Sequence, residues 1–129
     1  MRILIADDHE MVRNATRRIL ESRAEAECVE AGGGTEAVQK ALEVKPDLIL
    51  LDISMPAVNG FDAAQKIKRH LLDVPILFFS IYDSGEHLET ARSLGQGMVL
   101  KNDAGTMLLK AVDALLRKQT FFPNIETSE

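Results

Sequence analysis

Asp7, Asp8, Asp52, Ser80 and Lys101 stand out because each group follows a short apolar run. Ile3-Leu4-Ile5-Ala6 leads into Asp7-Asp8, Leu48-Ile49-Leu50-Leu51 into Asp52, Ile76-Leu77-Phe78-Phe79 into Ser80, and Met98-Val99-Leu100 into Lys101. If these runs are parallel strands, their carboxyl ends share the edge where open α/β sheets bind ligands. Three carboxylates gathered there repel and raise one another's pKa values unless a cation compensates. A hard divalent ion such as Mg²⁺, taking one or two carboxylates and completing its octahedron with water, is the natural compensator. Lys101 adds a mobile positive charge at the same edge. Such a set suits phosphoryl transfer, which asks for positioning and charge neutralisation. A carboxylate can serve there as the nucleophile, giving an acyl phosphate.

The elements that must position these groups are legible in the apolar pattern. Leu48-Ile49-Leu50-Leu51 is too short for a globular helix and reads as a strand buried on both faces. Pro56 then bars a regular strand, and Asn59-Gly60 is turn chemistry, so Asp52 falls where the central strand stops. Before it come a strand at 3–6 and a helix from Met11, with Met11, Val12, Ala15, Ile19 and Leu20 on the inner face and Arg13, Arg17 and Arg18 on the outer. A weaker strand at 26–31 is broken by Gly32-Gly33-Gly34, and Thr35 caps a helix closed by Lys45-Pro46.

After Asp52 the spacing predicts a helix from about Val58 through Ala64, Ile67 and Leu71. A strand at 76–80 and a helix at 83–94 follow, with Gly95 suited to its C-terminal cap. Then come a strand at 97–101 and a helix at 104–118. Five βα units in alternation predict a doubly wound, five-stranded parallel sheet with helices on both faces and right-handed crossovers. Past residue 118 the period is lost. Phe121-Phe122-Pro123 is expected to pack locally ahead of a polar, acidic tail, which divides the chain into a domain at 1–118 and a tail or linker at 119–129.

Bulk properties limit the function classes. The 129 residues make one domain able to bury a core without staples. A net charge of −5 and 5% aromatic content argue against direct binding of nucleic acid or an anionic membrane. The single cysteine, Cys28, excludes an internal disulfide, and no apolar run is long enough to span a membrane, so a cytoplasmic setting is expected. Gly32-Gly33-Gly34 lacks the spacing and the Lys-Ser/Thr ending of a phosphate-cradling loop. His9 follows the acid pair, but no second His or Cys lies at ligand spacing, so it reads as an exposed side chain at the mouth of the site.

With Asp7-Asp8, Asp52, the Met55-Pro56-Ala57-Val58-Asn59-Gly60 loop, Ser80 and Lys101 in order, residues 1–118 resemble a receiver domain of a two-component response regulator. The resemblance implies a flavodoxin-like (βα)5 fold with strand order 2-1-3-4-5 and a signalling switch rather than a conventional enzyme. It implies that Asp52 accepts a phosphoryl group from a sensor histidine kinase. It further implies that Asp8, Asp52 and the Ser54 backbone carbonyl ligate Mg²⁺, with Asp7 acting through water. Lys101 would pair with Asp52 and then with a phosphoryl oxygen, toward which the Ser80 hydroxyl would swing, and the helix at 83–94 would shift.

Ile-Ala-Asp-Asp-His-Glu-Met-Val-Arg at the start and Leu-Lys-Asn-Asp-Ala after the last strand resemble the NarL/FixJ branch. That branch implies regulation of transcription through a C-terminal helix-turn-helix domain, with DNA contacted only through it and a homodimer forming on phosphorylation. No such domain is present in the sequence. The 119–129 segment stands where its linker begins, which favours a receiver separated from an output domain over a stand-alone one.

Three positions depart from the family pattern. Met98 replaces the Tyr or Phe that usually rotates inward with the switch hydroxyl, and its flexible thioether can fill the same space. Ile81 replaces the common Ala after Ser80 and is expected to narrow access to Asp52. Asn102 replaces a cis-proline, so the Lys101-Asn102 bond is expected to be trans. Two other readings stand beside the switch. A haloacid-dehalogenase-type phosphatase would place an Asp-x-Asp nucleophile after the first strand, where the acids here are adjacent. A degenerate receiver would serve as a phosphorylation-independent protein-binding scaffold.

Overall fold

The apolar run before Asp52 shows no in-out alternation because both of its faces meet helices: Leu48–Asp52 is buried throughout and forms the central strand of the sheet. The computed structural model describes residues 1–81 and 85–123. Its elements alternate as β1 (Arg2–Ala6), α1 (Glu10–Glu21), β2 (Glu27–Ala31), α2 (Gly34–Val44), β3 (Leu48–Asp52), α3 (Gly60–Lys68), β4 (Ile76–Ser80), α4 (Gly85–Leu94), β5 (Gly97–Leu100) and α5 (Ala104–Leu116). The strands pair in parallel in the order β2-β1-β3-β4-β5, so the flavodoxin-like doubly wound fold is present as expected. No described helix is long and apolar enough to cross a membrane.

Alternate strand residues feed two cores. Leu4, Ile49, Leu51, Phe78 and Met98 pack with Ala37, Ala41, Ala63, Ala64, Ile67, Leu88 and Ala91 of α2, α3 and α4. Ile3, Ile5, Leu48, Leu50, Leu77, Phe79 and Val99 pack with Leu20 of α1 and Leu108, Ala111, Val112 and Leu115 of α5. Register then places the strand ends together. Ala6 lies beside Leu51, Asp52 beside Phe79 and Ser80 beside Leu100, which puts Asp7, Asp52, Ser80 and Lys101 on one edge.

Several local expectations are corrected. In α1, Met11 is 86% exposed and Ala15 is exposed, while Thr16 and Leu20 are buried. The helix begins at Glu10 and turns the polar Thr16 inward, a choice that apolar spacing cannot reveal. Thr35 does not cap α2; the helix starts at Gly34 with Gly33 as its cap, because Gly34 packs directly on the Val58 carbonyl, 2.1 Å from where a Cβ would stand. Leu71 lies beyond α3, which ends at Lys68, and α5 stops at Leu116.

Gly95 follows the end of α4 as expected, its N–H donating to the Ala91 carbonyl (2.8 Å), and a Cβ there would stand 2.7 Å from the Phe78 ring. Asp83 and Ser84, expected to open the fourth helix, lie outside the described residues. The described peptide bonds are all trans, including Lys101-Asn102.

The segment after α5 packs back on the sheet. Lys118 takes a left-handed conformation (φ 62°), and Phe121 forms a parallel bridge with Gly97. The Phe121 N–H donates to the Gln96 carbonyl (3.0 Å), and its carbonyl accepts from the Met98 N–H (2.8 Å). Phe121 packs on the α5-side core and Phe122 on the α4-side core, the alternation of a strand residue pair.

The start of α3 depends on one glycine. A Cβ on Gly60 would stand 2.3 Å from the Asp52 carbonyl oxygen and 2.9 Å from the Ile53 Cα, backbone that cannot swing aside. Gly60→Ala is therefore expected to lower stability by at least about 1–3 kcal/mol, as overpacking does. Gly105→Ala has open space in α5 and is expected to raise stability by roughly 0.5 kcal/mol. Urea denaturation midpoints of the two variants, compared with the parent, check the opposite signs.

Candidate functional site

Each site residue sits where a strand runs out of partners. Asp7 follows β1, and its N–H still donates to the Ala31 carbonyl (3.1 Å), which holds its side chain inward. It is 2% exposed, and both carboxylate oxygens are engaged: Oδ1 accepts from the His9 N–H (2.9 Å) and Oδ2 from Lys101 Nζ (3.1 Å). Asp52 closes β3 and is also 2% exposed. Its Oδ1 accepts from the Ser54 N–H (3.2 Å), and its Oδ2 is ion-paired with Lys101 Nζ at 3.2 Å. Lys101 thus bridges the two buried acids, with the Phe79 ring 5.5 Å beneath its ammonium.

Asp8 is half-buried beside them, and one ligand atom each from Asp7, Asp8, His9 and Asp52 lies within 4.8 Å of the others. The Asp8 Oδ1 and Asp52 Oδ2 atoms are buried without a hydrogen-bond partner among the described residues. Lys101 meets Asp52 Oδ2 as an ion pair at 3.2 Å, but one ammonium shared between two buried acids leaves oxygens without hydrogen bonds, a cost that a further cation would lower. Three carboxylates against one ammonium leave two negative charges, so the donor set fits a divalent, oxygen-seeking ion such as Mg²⁺. With both Asp7 oxygens engaged, Asp8 and Asp52 have the oxygens open to it. His9 lies at the mouth as expected, its side chain 64% exposed and its Nδ1 3.2 Å from Asp8 Oδ1.

The remaining expected residues fall around this centre. Ser80 ends β4 and is 1% exposed. Ile81 follows it and is 58% exposed. Met98 is fully buried beside Phe78 in the register, in the α4-side core, so the thioether occupies interior space. Ser54 is exposed in the loop just past Asp52.

Sequence reasoning missed Arg13. Read as part of a solvated helix face, it is instead 18% exposed, donates to the Asp7 carbonyl (2.8 Å) and is held by Glu30 Oε1 at 3.0 Å. Arg17 grips the other Glu30 oxygen at 2.6 Å, and the two arginines hold the Glu30 carboxyl below its ordinary range. The available signal was Glu30 itself, an acid inside β2, where it faces Arg13 and Arg17 of α1.

Burial, and then the negative charge of Asp7, push the Asp52 carboxyl up from its ordinary 3.8 to about 6, against the pull of Lys101 and the Ser54 N–H. Between about pH 4 and pH 6 the folded, metal-free protein therefore holds a proton that the unfolded chain has lost, and stability falls as pH rises through that window. Asp52→Asn abolishes this burden. In chelator above pH 6, the variant is expected to be more stable than the parent by roughly 1–3 kcal/mol, with Mg²⁺ narrowing the gap. Urea denaturation across pH, with and without Mg²⁺, measures both effects.

Known proteins are similar in sequence and fold. A family model, the response regulator receiver domain, matches residues 3–113. Oxygen regulatory protein NreC of Staphylococcus carnosus (strain TM300) is 37% identical over 132 residues, covering 99% of this chain and 61% of the relative. The chain thus spans about three fifths of the length of the curated relatives it matches. A LuxR-family two-component response regulator from Aurantimonas sp. SI85-9A1 superposes with a TM-score of 0.89 at 29% identity, covering 93% of this chain and 87% of that one. The non-phosphorylated receiver domain of the stress response regulator RcsB from Escherichia coli gives 0.87 at 29% identity, covering 96% and 98%. Matched along nearly its whole length by sequence and by fold, the chain belongs to the response regulator receiver domains, on their NarL/FixJ branch.

Proposed function

We propose that Asp52 accepts a phosphoryl group from the phosphohistidine of a sensor histidine kinase and that the domain relays this as a conformational change. The observation that carries the reading is the Asp52 Oδ2 atom: buried, without a hydrogen bond among the described residues, and ion-paired with the ammonium of Lys101 beside two further acids. A carboxylate oxygen attacks phosphorus, the P–N bond to histidine breaks, and the imidazole leaves with a proton, giving an acyl phosphate.

Asp8, Asp52 and the Ser54 carbonyl would hold Mg²⁺ directly and Asp7 through water. Bound there, the ion supplies neutralisation of the phosphoryl oxygens. Lys101 passes from Asp52 to a phosphoryl oxygen, and the Ser80 hydroxyl turns to the same group. Ile81 stands at the mouth and slows access, while Met98 takes the interior place of the usual aromatic ring. The domain is a phosphoacceptor that assists its own chemistry rather than an enzyme that turns over substrate.

The output we infer is transcription control in the cytoplasm. Relatives are longer than this chain, and a C-terminal helix-turn-helix domain would contact DNA, with phosphorylation favouring a homodimer. A net charge of −5 fits a receiver that touches neither DNA nor membrane itself. Residues 1–118 form the receiver and 119–129 the tail or start of a linker.

Incubation with a small phosphodonor and Mg²⁺, followed by intact mass, tests the reading. One added phosphoryl group is expected on the parent and none on Asp52→Asn. No adduct on the parent, where a control receiver is labelled, supports the scaffold alternative, and steady hydrolysis of a phosphate ester supports the phosphatase. Ile81→Ala is expected to gain and lose the phosphoryl group faster than the parent.

A further inference from the structure

The residues after α5 are built into the sheet by features on both sides of the contact. Gly97 is required by the tail: a Cβ there would stand 2.8 Å from the Phe121 carbonyl oxygen. Two backbone hydrogen bonds, Phe121 N–H to Gln96 and Met98 N–H to Phe121, zip the segment along the edge of β5. Phe122 packs on the core that contains Met98, Leu88 and Ala91, and the Arg92 guanidinium of α4 lies 5.3 Å over its ring. One short segment is thus clasped by the last strand and by α4.

That strand also carries the site lysine. β5 is only Gly97–Leu100; Lys101 follows it, held by Asp7 and Asp52, while Gly97 and Met98 at its other end hold Phe121. The grip on Lys101 and the contact with the tail thus lie within four residues of each other on one short strand. If the segment exchanges between docked and undocked forms, a ligand that binds them unequally shifts their balance.

We propose that residues 119–123 form a strap on the β5–α4 surface, docked while Lys101 bridges the two buried carboxylates and released when a phosphoryl group on Asp52 takes the lysine. The surface fits an extended aromatic pair, one ring to each face of the sheet edge, and its occupant is this chain's own Phe121-Phe122. This rests on Asp52 being the phosphoacceptor. Coupling of this kind is reciprocal, so weakening the strap must strengthen binding of a phosphoryl mimic at the site by the same factor that the mimic weakens the strap.

The test uses the full chain with Mg²⁺ and beryllium fluoride as a non-covalent mimic, reading amide hydrogen exchange at Met98 and Phe121 by NMR. Exchange at both amides is expected to rise about fivefold or more on saturation, the lower end of ordinary allosteric coupling. Phe122→Ala and, with the ring kept, Arg92→Ala are expected to exchange faster without the mimic and to bind it correspondingly tighter. Unchanged or slower exchange on saturation, or unchanged mimic affinity in folded variants with faster exchange, overturns the strap. Failure of the mimic to bind, together with no mass adduct from the phosphodonor, overturns the phosphoacceptor reading and the strap with it.

Discussion

One ammonium holds two buried carboxylates. Asp7 and Asp52 are each 2% exposed, and Lys101 Nζ lies within 3.2 Å of both. Breaking such a bridge leaves uncompensated charge in a poorly solvated place, which is why the surrounding structure is arranged to keep it. The Asp7 N–H is tied to β2, its carbonyl to Arg13, and the Asp52 carbonyl is pressed on Gly60. Even so, burial and then the charge of Asp7 keep the Asp52 carboxyl raised against the pull of Lys101. A site that is incomplete by itself is suited to gaining and losing a charged group, because each arrival changes the balance that Lys101 maintains.

The fold was legible because its signals were redundant. Runs such as Leu48-Ile49-Leu50-Leu51 lack alternation for a single physical reason, burial on both faces, and five of them separated by helical spacing leave few architectures. The site was legible because polar residues ending those runs must meet at one edge. What escaped was set by contacts between distant parts of the chain. Thr16 is buried and Met11 exposed in α1 because tertiary packing chose the helix phase, not apolar content. Arg13 joins the site by donating to the Asp7 carbonyl while Glu30 of β2 holds it in place.

Glycines were the least readable residues, since their chemistry is the absence of a side chain. Gly34, Gly60, Gly95 and Gly97 all mark places where another backbone or ring comes within 3 Å of the missing Cβ, and none has a positive φ. The sequence pattern marked Gly34 as a strand break, Gly60 as a turn and Gly95 as a helix cap. The structure uses them for proximity: Gly34 and Gly60 clamp the loop after Asp52 between the starts of α2 and α3.

The fifth strand has a further consequence for how the molecule behaves in a crowd. An open sheet has two edges, and an uncovered edge offers its backbone to any passing strand. β2 presents the exposed Glu27, a charge that discourages a visitor. β5, Gly97–Leu100, carries no charged residue, and there Phe121 satisfies the outward N–H of Met98 from within the chain. The side of the sheet with the weaker electrostatic guard is the side the protein seals with its own backbone, protecting it from misassembly and aggregation.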